Sequence, residues 1–419
     1  MDTQTTPALT ILLVGSGGRE HALAWKLSQS PRVKHIYVVP GNAGTEGLGK
    51  SVSNIRDVAA DNYPGLVRLS EQLGVGLVVV GPDQAVVDGI GDYFTELGIP
   101  CFAPSELAAE IEGSKVFAKG FMNRYGIPTA DWAAFNDYSL ASRYLEGLNH
   151  RVVIKVDGLA AGKGVVLPAD QAEARQALKE IMVDGKFGEA GDCVVIEEYL
   201  EGNEISVLTF SDGRTTKTLP PGQDHKRAFE GNRGPNTGGM GVYAPVPFVS
   251  PADMEEIERL IVQPTIRGLE NEERHFTGLL FTGVMMTDSG PKVLEYNARF
   301  GDPETQALIL LLSNTDLVEV LLACTNESLE NVDLHVSPGF ACTITVAAGP
   351  NVHIFHAGTA NVDGQLVVAG GRVFSVSATG TTLDDAVSAA YSGVQAISFD
   401  DMFHRKDIAA RYPTLLTSL

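Results

Sequence analysis

The chain has 419 residues, 44% of them hydrophobic, and a formal net charge of −21 at pH 7. That length and apolar content exclude a disordered chain and suit roughly two to four domains with sizeable cores. The acidic balance argues against nucleic acid and anionic membranes as partners, so an anionic substrate would have to be held by local clusters of cations.

The first expected element is a strand, Leu9–Val14, that turns through Gly15, Gly17 and Gly18 into a helix whose free N–H groups suit an anion. The stretch LLVGSGGREHAL lies one residue from a dinucleotide fingerprint, but Glu20 replaces the third glycine. The second strand, IYVVPGNAG, ends in Pro40, and the next acid after Glu20 is Glu46, too late to grip a ribose. A phosphate is expected at this turn, and an NAD oxidoreductase is disfavoured. As far as about Glu112, apolar strands (ILLV, IYVV, LVVV) alternate with helical patterns, which predicts a doubly wound parallel sheet.

A second unit begins near Ser114, which caps a helix running to Tyr125 and stopped by Gly126 and Pro128. In VVIKVDGLAAGKGVVL, Lys155 sits inside an apolar strand, where an ammonium is costly unless it meets a fixed anion. Gly158, Gly162 and Gly164 surround Lys163 in a turn that can lay N–H groups over phosphates and move as a lid. The spacing is not that of a Walker loop. After a helix over Ala169–Val183 comes VVIEEYLEGNEISVL, in which one strand ends at Glu197 and another begins at Glu204. Acids beside such a linker suit an adenine amino group and ribose hydroxyls, with the linker backbone reading the base edge.

The tract GQDHKRAFEGNRGPNTGGMG combines Asp224, His225, Lys226 and Arg227 with backbone donors from Asn236 to Gly241, a basic run beside a glycine nest that suits an anionic substrate. His225 is read as a hydrogen-bonding partner rather than a base. A helix over Pro251–Leu269 and two strands lead to VLEYNARFGDPETQ. If Val293–Arg299 is a strand, Glu295, Asn297 and Arg299 share one face and Leu294, Tyr296 and Ala298 the other. A carboxylate and an amide oxygen two residues apart suit Mg²⁺, and the arginine suits phosphate oxygens. The strand runs directly into Gly301, Asp302 and Pro303, which start a helix reaching Leu312. From Val336, short strands with an Asp363-Gly364 turn precede a helix capped near Thr382. Cys101, Cys193, Cys324 and Cys342 stand far apart with no Cys-x-x-Cys pair, as expected of free thiols. With no basic signal pattern at the start and no apolar run near about 18 residues, a cytoplasmic protein is expected.

The motifs GSGGREHALAWKL, PGNAGT, VVGPD, EGSKVFAK, VIKVDGLAAGKGV, QDHKR, GPNTGGMG, LEYNARFGDPETQ, GGRVFSV and RKDIAARY follow one another along nearly the whole chain. Together they resemble the phosphoribosylamine–glycine ligase (glycinamide ribonucleotide synthetase) family of the ATP-grasp superfamily. The resemblance implies a multidomain α/β and α+β protein. Its parts would be a doubly wound N-terminal domain at 1–112, an ATP-grasp domain at 113–335 with a lid at about 133–203, and a small mixed α/β C-terminal domain at 336–419.

The resemblance further implies ATP-dependent ligation of glycine to 5-phosphoribosylamine through glycyl phosphate, giving glycinamide ribonucleotide, ADP and phosphate in purine biosynthesis. Carried over, Lys115 and Lys155 contact ATP phosphates, and Gly158, Gly162, Lys163 and Gly164 close over them. Glu197 and the backbone at Glu198 and Leu200 hold adenine, and Glu204 holds ribose. Glu295 and Asn297 bind Mg²⁺, with Mn²⁺ as a substitute, and Arg299 meets the phosphoryl group in flight, forming the catalytic set with Lys155 and Asp224. Gly15, Gly17 and Gly18, with Asp224, Lys226, Arg227, Asn236, Thr237, Gly238 and Gly239, hold glycine and the phosphosugar. The partners implied are these small molecules, without nucleic acid or membrane, and a fusion or complex with another purine-pathway enzyme. Two departures stand out: ITVAAGP runs directly into NVHIFHAGT where the family has a longer stretch, and Asn232 stands where an acid is common. Other readings are a related ATP-grasp carboxylate–amine ligase acting on a purine precursor, and a nucleotide-binding module without turnover.

Overall fold

The structure is a computed structural model that describes residues 8–160, 164–346, 353–362, 364–399 and 402–410. Strand β1 (Leu9–Gly15) lies at the centre of a parallel sheet of order β3-β2-β1-β4-β5, with β2 (Val33–Pro40), β3 (Val52–Asn54), β4 (Leu77–Val80) and β5 (Cys101–Phe102). Ile11 to Val14 and Leu77 to Val79 are fully buried, as strands covered by helices on both faces require. The strand order reverses beside β1, at the switch point where such sheets bind ligands. There Gly15, at φ 127, turns the chain into the helix Gly18–Leu27.

Strands β6 (Trp132–Phe135), β7 (Val152–Val156), β8 (Val165–Val166) and β9 (Val194–Glu198) form an antiparallel sheet of order β6-β9-β7-β8. The helices Tyr138–Gly147 and Gln171–Met182, capped by Asp137 and Asp170, pack on it. Leu145, Ile154, Leu178, Ile181 and Ile196 belong to a hydrophobic core of this unit's own, separate from the two that hold the rest of the chain. A unit with a private core can move as a body, which is what a lid needs. Gly162 and Lys163 lie outside the described residues.

The chain then enters β10 (Asn203–Asp212) and β11 (Thr216–Thr218), short strands β12 (Gln223–Asp224), β13 (Arg227–Phe229), β14 (Arg233–Asn236) and β15 (Gly241–Ala244), and long strands β16 (Thr277–Thr287) and β17 (Gly290–Asn297). The antiparallel order β11-β10-β16-β17 makes the central sheet. The helix expected over Pro251–Leu269 is Pro251–Ile257 continued through a π-helical turn, Glu258–Val262, into Gln263–Asn271. Pro264 follows that turn, and a proline removes an intrahelical hydrogen bond.

Strict alternation along Val293–Arg299 does not hold. Gly283 pairs with Glu295 but Val284 with Val293, so Leu294 is the extra residue of a β-bulge. The buried face carries Val293, Tyr296 and Ala298, and Leu294 does not share it; the strand ends at Asn297, which puts Arg299 in the following turn.

The last strands are β18 (Phe340–Ile344), β19 (His353–His356), β20 (Thr359–Val362), β21 (Gln365–Val368) and β22 (Phe374–Gly380), before the helix Leu383–Val394. Thr382 and Asp385 close the start of that helix as a capping box. The third large sheet has the order β12-β15-β18-β22-β19, so the C-terminal region holds the strands that begin and end the QDHKR–GGMG tract. Asp363 of the expected turn and residues 347–352 of the short connection lie outside the described residues.

Candidate functional site

Lys155 is buried in β7, and its Nζ meets an anion of the protein itself, Glu197 Oε1 of neighbouring β9, at 3.0 Å. It also donates to the carbonyl of Leu294 at 2.7 Å, the bulged residue beside Glu295. The other oxygen of Glu197 lies 2.8 Å from Lys119 Nζ. Lys115 opens the helix Lys115–Arg124, and its ammonium donates to the Glu112 carbonyl at 3.2 Å. Asp157, just past β7, accepts from the capping hydroxyl of Ser114 at 2.9 Å and from Val116 N–H at 3.1 Å, tying the end of β7 to that helix start. Gly164 faces Val156 and Ala160, where a Cβ would come within 2.7 Å, so the returning arm of the turn has room for glycine alone. Glu198 is the last residue of β9, one beyond the strand end expected at Glu197, and Leu200 follows in the linker, where the Arg151 guanidinium stacks 3.9 Å from the Tyr199 ring centroid.

On the core side, Lys226 Nζ bridges Glu204 Oε1 at 2.5 Å and Glu295 Oε1 at 2.9 Å. The Lys226 charge holds the Glu295 carboxyl down at about 2, against burial and with help from Lys155. Burial opposes the charge on Lys226, but Glu204 and Glu295 outweigh it and keep its pKa well above the lysine range. Asn297 Oδ1 accepts from an Arg299 terminal nitrogen at 2.9 Å, and the same nitrogen lies 3.1 Å from Glu112 Oε1. Glu112 also accepts the Ala298 N–H at 2.6 Å, which fixes the end of β17. Arg299 Nε is buried without a hydrogen-bond partner among the described residues.

Among the described residues no group of three or more His, Cys, Asp or Glu is placed to hold a metal ion. Glu295 and Asn297 offer one carboxylate and one amide oxygen that could hold such an ion. That fits Mg²⁺, which takes one or two protein oxygens and completes its shell with substrate phosphates and water.

Beneath this row lie two carboxyls, Asp224 and Glu304. Burial and the neighbouring Glu304 push the Asp224 carboxyl well up, and burial raises Glu304. Ser206 Oγ donates to Glu304 at 3.0 Å, and Asp224 accepts the His225 N–H at 2.7 Å. Gly239, at φ 122, passes so close that a Cβ would lie 2.4 Å from the Pro303 ring and 2.7 Å from Asp224 Oδ1. His225 is a partner rather than a base: Nε2 accepts the Ala409 N–H at 3.2 Å, so Nδ1 carries the proton it shares with the Gly241 carbonyl. Arg227 donates to Gly234 O at 2.6 Å across the β13–β14 hairpin, Asn236 pairs with Arg227 in that hairpin, and Thr237 N–H donates to Lys226 O. Buried Arg405 pairs with Asp407 at 2.7 Å and donates to Arg227 O and Asn232 Oδ1, both at 3.0 Å. The asparagine found where the family favours an acid thus caps a guanidinium.

The N-terminal glycine turn closes on the same place. Glu20, the residue in place of a third glycine, accepts the Gly17 N–H at 2.5 Å and pairs with Arg19 at 2.6 Å. Arg19 donates to Phe300 O at 3.0 Å, and Arg372 of the GGRVFSV segment pairs with Asp302 at 3.0 Å. Burial works against the Asp302 charge, but Arg372 and Arg19 keep that carboxyl below its usual range. Gly238 lies against the Arg372 guanidinium, and Gly18 against Gln306 and Ser375. Asn42 of PGNAGT donates to Ser16 O at 2.8 Å and His356 O at 2.7 Å, so that N-terminal, central and C-terminal segments meet here.

Asp302 drew notice only as part of a helix start, and Glu112, Lys119, Arg19, Glu304 and Arg372 lie inside the quoted motifs without a site role assigned from the sequence. Their common signal is a charge within an otherwise apolar or glycine-rich stretch, which marks burial but not the partner.

Three family models match consecutive stretches: the phosphoribosylglycinamide synthetase N domain at residues 9–112, its ATP-grasp (A) domain at 113–305 and its C domain at 337–411. The bifunctional purine biosynthetic protein ADE1 of Schizosaccharomyces pombe is 50% identical over 419 residues, covering 95% of this chain and 53% of that protein. The phosphoribosylamine–glycine ligase of Caulobacter vibrioides is 44% identical over 425 residues, covering 96% of this chain and 98% of that one. The chain thus spans about half the length of the bifunctional relative and nearly all of the bacterial ligase. A crystal structure of phosphoribosylamine–glycine ligase from Thermotoga maritima superposes with a TM-score of 0.82 at 32% identity, covering 96% of this chain and 100% of that one.

Proposed function

The chain belongs to the phosphoribosylglycinamide synthetase family, and on that premise we propose that it joins glycine to 5-phosphoribosylamine with cleavage of ATP, giving glycinamide ribonucleotide, ADP and phosphate. An ATP-grasp core binds ATP with a divalent metal; in this reading the metal is Mg²⁺, which Mn²⁺ can replace. The observation that carries the proposal is the meeting of lid, core, N-terminal and C-terminal segments on one chain stretch, Leu294–Glu304. Lys155 reaches its first carbonyl, Lys226 its Glu295, and Arg19 and Arg372 reach Phe300 and Asp302 near its end.

Making an amide from a carboxylate requires a better leaving group than hydroxide. A glycine carboxylate oxygen attacks the γ-phosphorus, the bond to ADP breaks, and glycyl phosphate forms. The amine of phosphoribosylamine then attacks the acyl carbon and phosphate leaves. Phosphoryl transfer depends on positioning and charge neutralisation, which lysine and arginine side chains supply without a protein nucleophile. Lys115, Lys155 and the turn containing Gly158, Gly162, Lys163 and Gly164 hold the ATP phosphates, and Arg299 meets the phosphoryl group in flight. Glu197, which lies between two ammonium groups, orients Lys155 as well as lining the adenine side, leaving the backbone of Glu198 and Leu200 to read the base and Glu204 the ribose. When bound at Glu295 and Asn297, the metal neutralises charge on the phosphate oxygens. Asp224, beside Glu304, takes the amine proton. The Gly15–Gly18 turn, Lys226, Arg227 and the Asn236–Gly239 nest receive glycine and the phosphosugar.

In this reading the domains are residues 1–112, 113–335 with a lid at about 133–203, and 336–419. The protein works on small molecules in the cytoplasm, either alone or joined to another purine-pathway activity as the name of the Schizosaccharomyces relative suggests. Among the described residues no helix is long and apolar enough to cross a membrane, and the four cysteines are unpaired. A panel of amino acids and amines in an ADP-release assay tests the proposal: release should require glycine and phosphoribosylamine together. Equal release with a different carboxylate–amine pair would replace it with a neighbouring ligase, and ATP binding without release in any mixture would leave a binding module.

A further inference from the structure

Lys119 has no role in the assignments above, yet it is the least exposed lysine among the described residues. It sits one helical turn beyond Lys115, where the helix Lys115–Arg124 passes beneath the lid. Its Nζ donates to Thr129 Oγ1 at 2.7 Å and lies 2.8 Å from Glu197 Oε2; Thr129 in turn donates to the Val293 carbonyl at 2.7 Å. Lys155, on the other oxygen of Glu197, donates to the next carbonyl, Leu294. The two lysines therefore grip one lid carboxylate and, through Thr129 and directly, two successive carbonyls at the bulge before Glu295. Two ammonium groups share a single carboxylate, so the cluster keeps one positive charge in excess, as suits a place that receives an anion. An apolar side chain of similar volume would fill the space without the cost of burying a charge, so stability alone does not account for a lysine here.

We propose that Lys119 is a positioning residue for the nucleotide site: by holding one oxygen of Glu197 it directs the other at Lys155, and so sets where the Lys155 ammonium meets the ATP phosphates. The inference rests on the reading of Lys155 as a phosphate-binding residue. Among the described residues, the charged groups facing Lys119 are Glu197 from β9 and Lys155 from β7. Burial brings the Lys119 pKa down to about 8, with Glu197 opposing and Lys155 adding to the effect. Its charge is therefore lost as the pH rises through that value, and the grip on Glu197 weakens with it.

The test is the Kd for ATP with Mg²⁺, by titration calorimetry between pH 7 and 9.5, on the full chain and on Lys119→Met, Lys119→Arg, Lys155→Met and the Lys119→Met/Lys155→Met pair. Lys119→Met should weaken ATP about tenfold at pH 7, and adding it to Lys155→Met should bring little further loss, because both act through one contact. Lys119→Arg keeps its charge at every pH and should lose the decline in affinity expected of the wild type above about pH 8. Wild-type affinity in Lys119→Met beside a weakened Lys155→Met overturns this proposal alone, as does a full additional loss in the double variant. Wild-type affinity in Lys155→Met overturns the phosphate reading beneath it. Should Lys119→Met fail to fold, Lys119→Arg decides: an alkaline decline like that of the wild type sinks the positioning role.

Discussion

Replacing Glu295 by alanine separates the chemistry of the site from its stability. The lost carboxylate lies 2.9 Å from Lys226 Nζ, but that ammonium keeps Glu204 at 2.5 Å, so no uncompensated charge is left behind. Partly exposed pairs of this kind contribute about 0.5–1 kcal/mol, and the melting temperature should fall by only a few degrees. If Glu295 is a metal ligand, transition-state stabilisation falls by about 3 kcal/mol or more, which is roughly a hundredfold or greater in rate. Steady-state ADP release at saturating Mg²⁺, measured beside a thermal melt, reads both effects. Because Lys226 holds the Glu295 carboxyl at about 2, the residue stays ionised from pH 5 upward, and the deficit of the variant should be the same at pH 6 and pH 8. Turnover within about threefold of wild type, with an unchanged Mg²⁺ dependence, would refute the metal assignment.

Lys155→Met should raise the KM for ATP about tenfold or more, and it should also lower stability. Breaking a buried pair costs about 3–5 kcal/mol, moderated here because Lys119 still holds Glu197; an unchanged KM would remove Lys155 from the phosphate site. Gly17→Val puts a Cβ 2.8 Å from Glu20 Oε2, where the carboxylate that caps the turn must move. The KM for phosphoribosylamine should rise about tenfold, or 1.4 kcal/mol, while the Kd for ATP stays put; equal effects on both ligands would contradict a phosphosugar role, and Gly17→Ala serves if the valine variant unfolds. Burial, with His356 nearby, depresses His21 to about 3 against an ordinary value of 6.5. The folded state then binds fewer protons than the unfolded one across that window, so the stability present above pH 6.5 falls as the pH drops towards 3. His21→Asn can still accept the His356 N–H and should flatten the fall in melting temperature between pH 6.5 and 5; an identical slope in both proteins would remove His21 as its source.

The parallel sheet was legible because ILLV and LVVV are continuous apolar runs, which a strand buried on both faces requires. Helix starts at Ser114 and Thr382 were legible because a capping residue announces itself locally. The bulge at Leu294 was not: nothing in VLEYNAR distinguishes a strand with an extra residue from a regular one, and the pairing with Gly283 and Val284 that creates it lies on another strand. The cost of burying Lys155 pointed to a fixed anion, but only the adjacency of β7 and β9 identifies it as Glu197. Likewise Glu20 read as a missing glycine, whereas its carboxylate closes the turn on Gly17. Composition and spacing reveal which charges are out of place; long-range pairing decides what they meet.

The central claim is that the glycine carboxylate is activated by phosphorylation before the amine attacks. Turnover of glycine labelled with ¹⁸O in both carboxylate oxygens tests it most directly, with the released phosphate analysed by mass spectrometry. One carboxylate oxygen bridges to phosphorus in glycyl phosphate and leaves with it, so each phosphate should carry one ¹⁸O and the amide of the product should keep the other. Unlabelled phosphate accompanying labelled product would contradict the account.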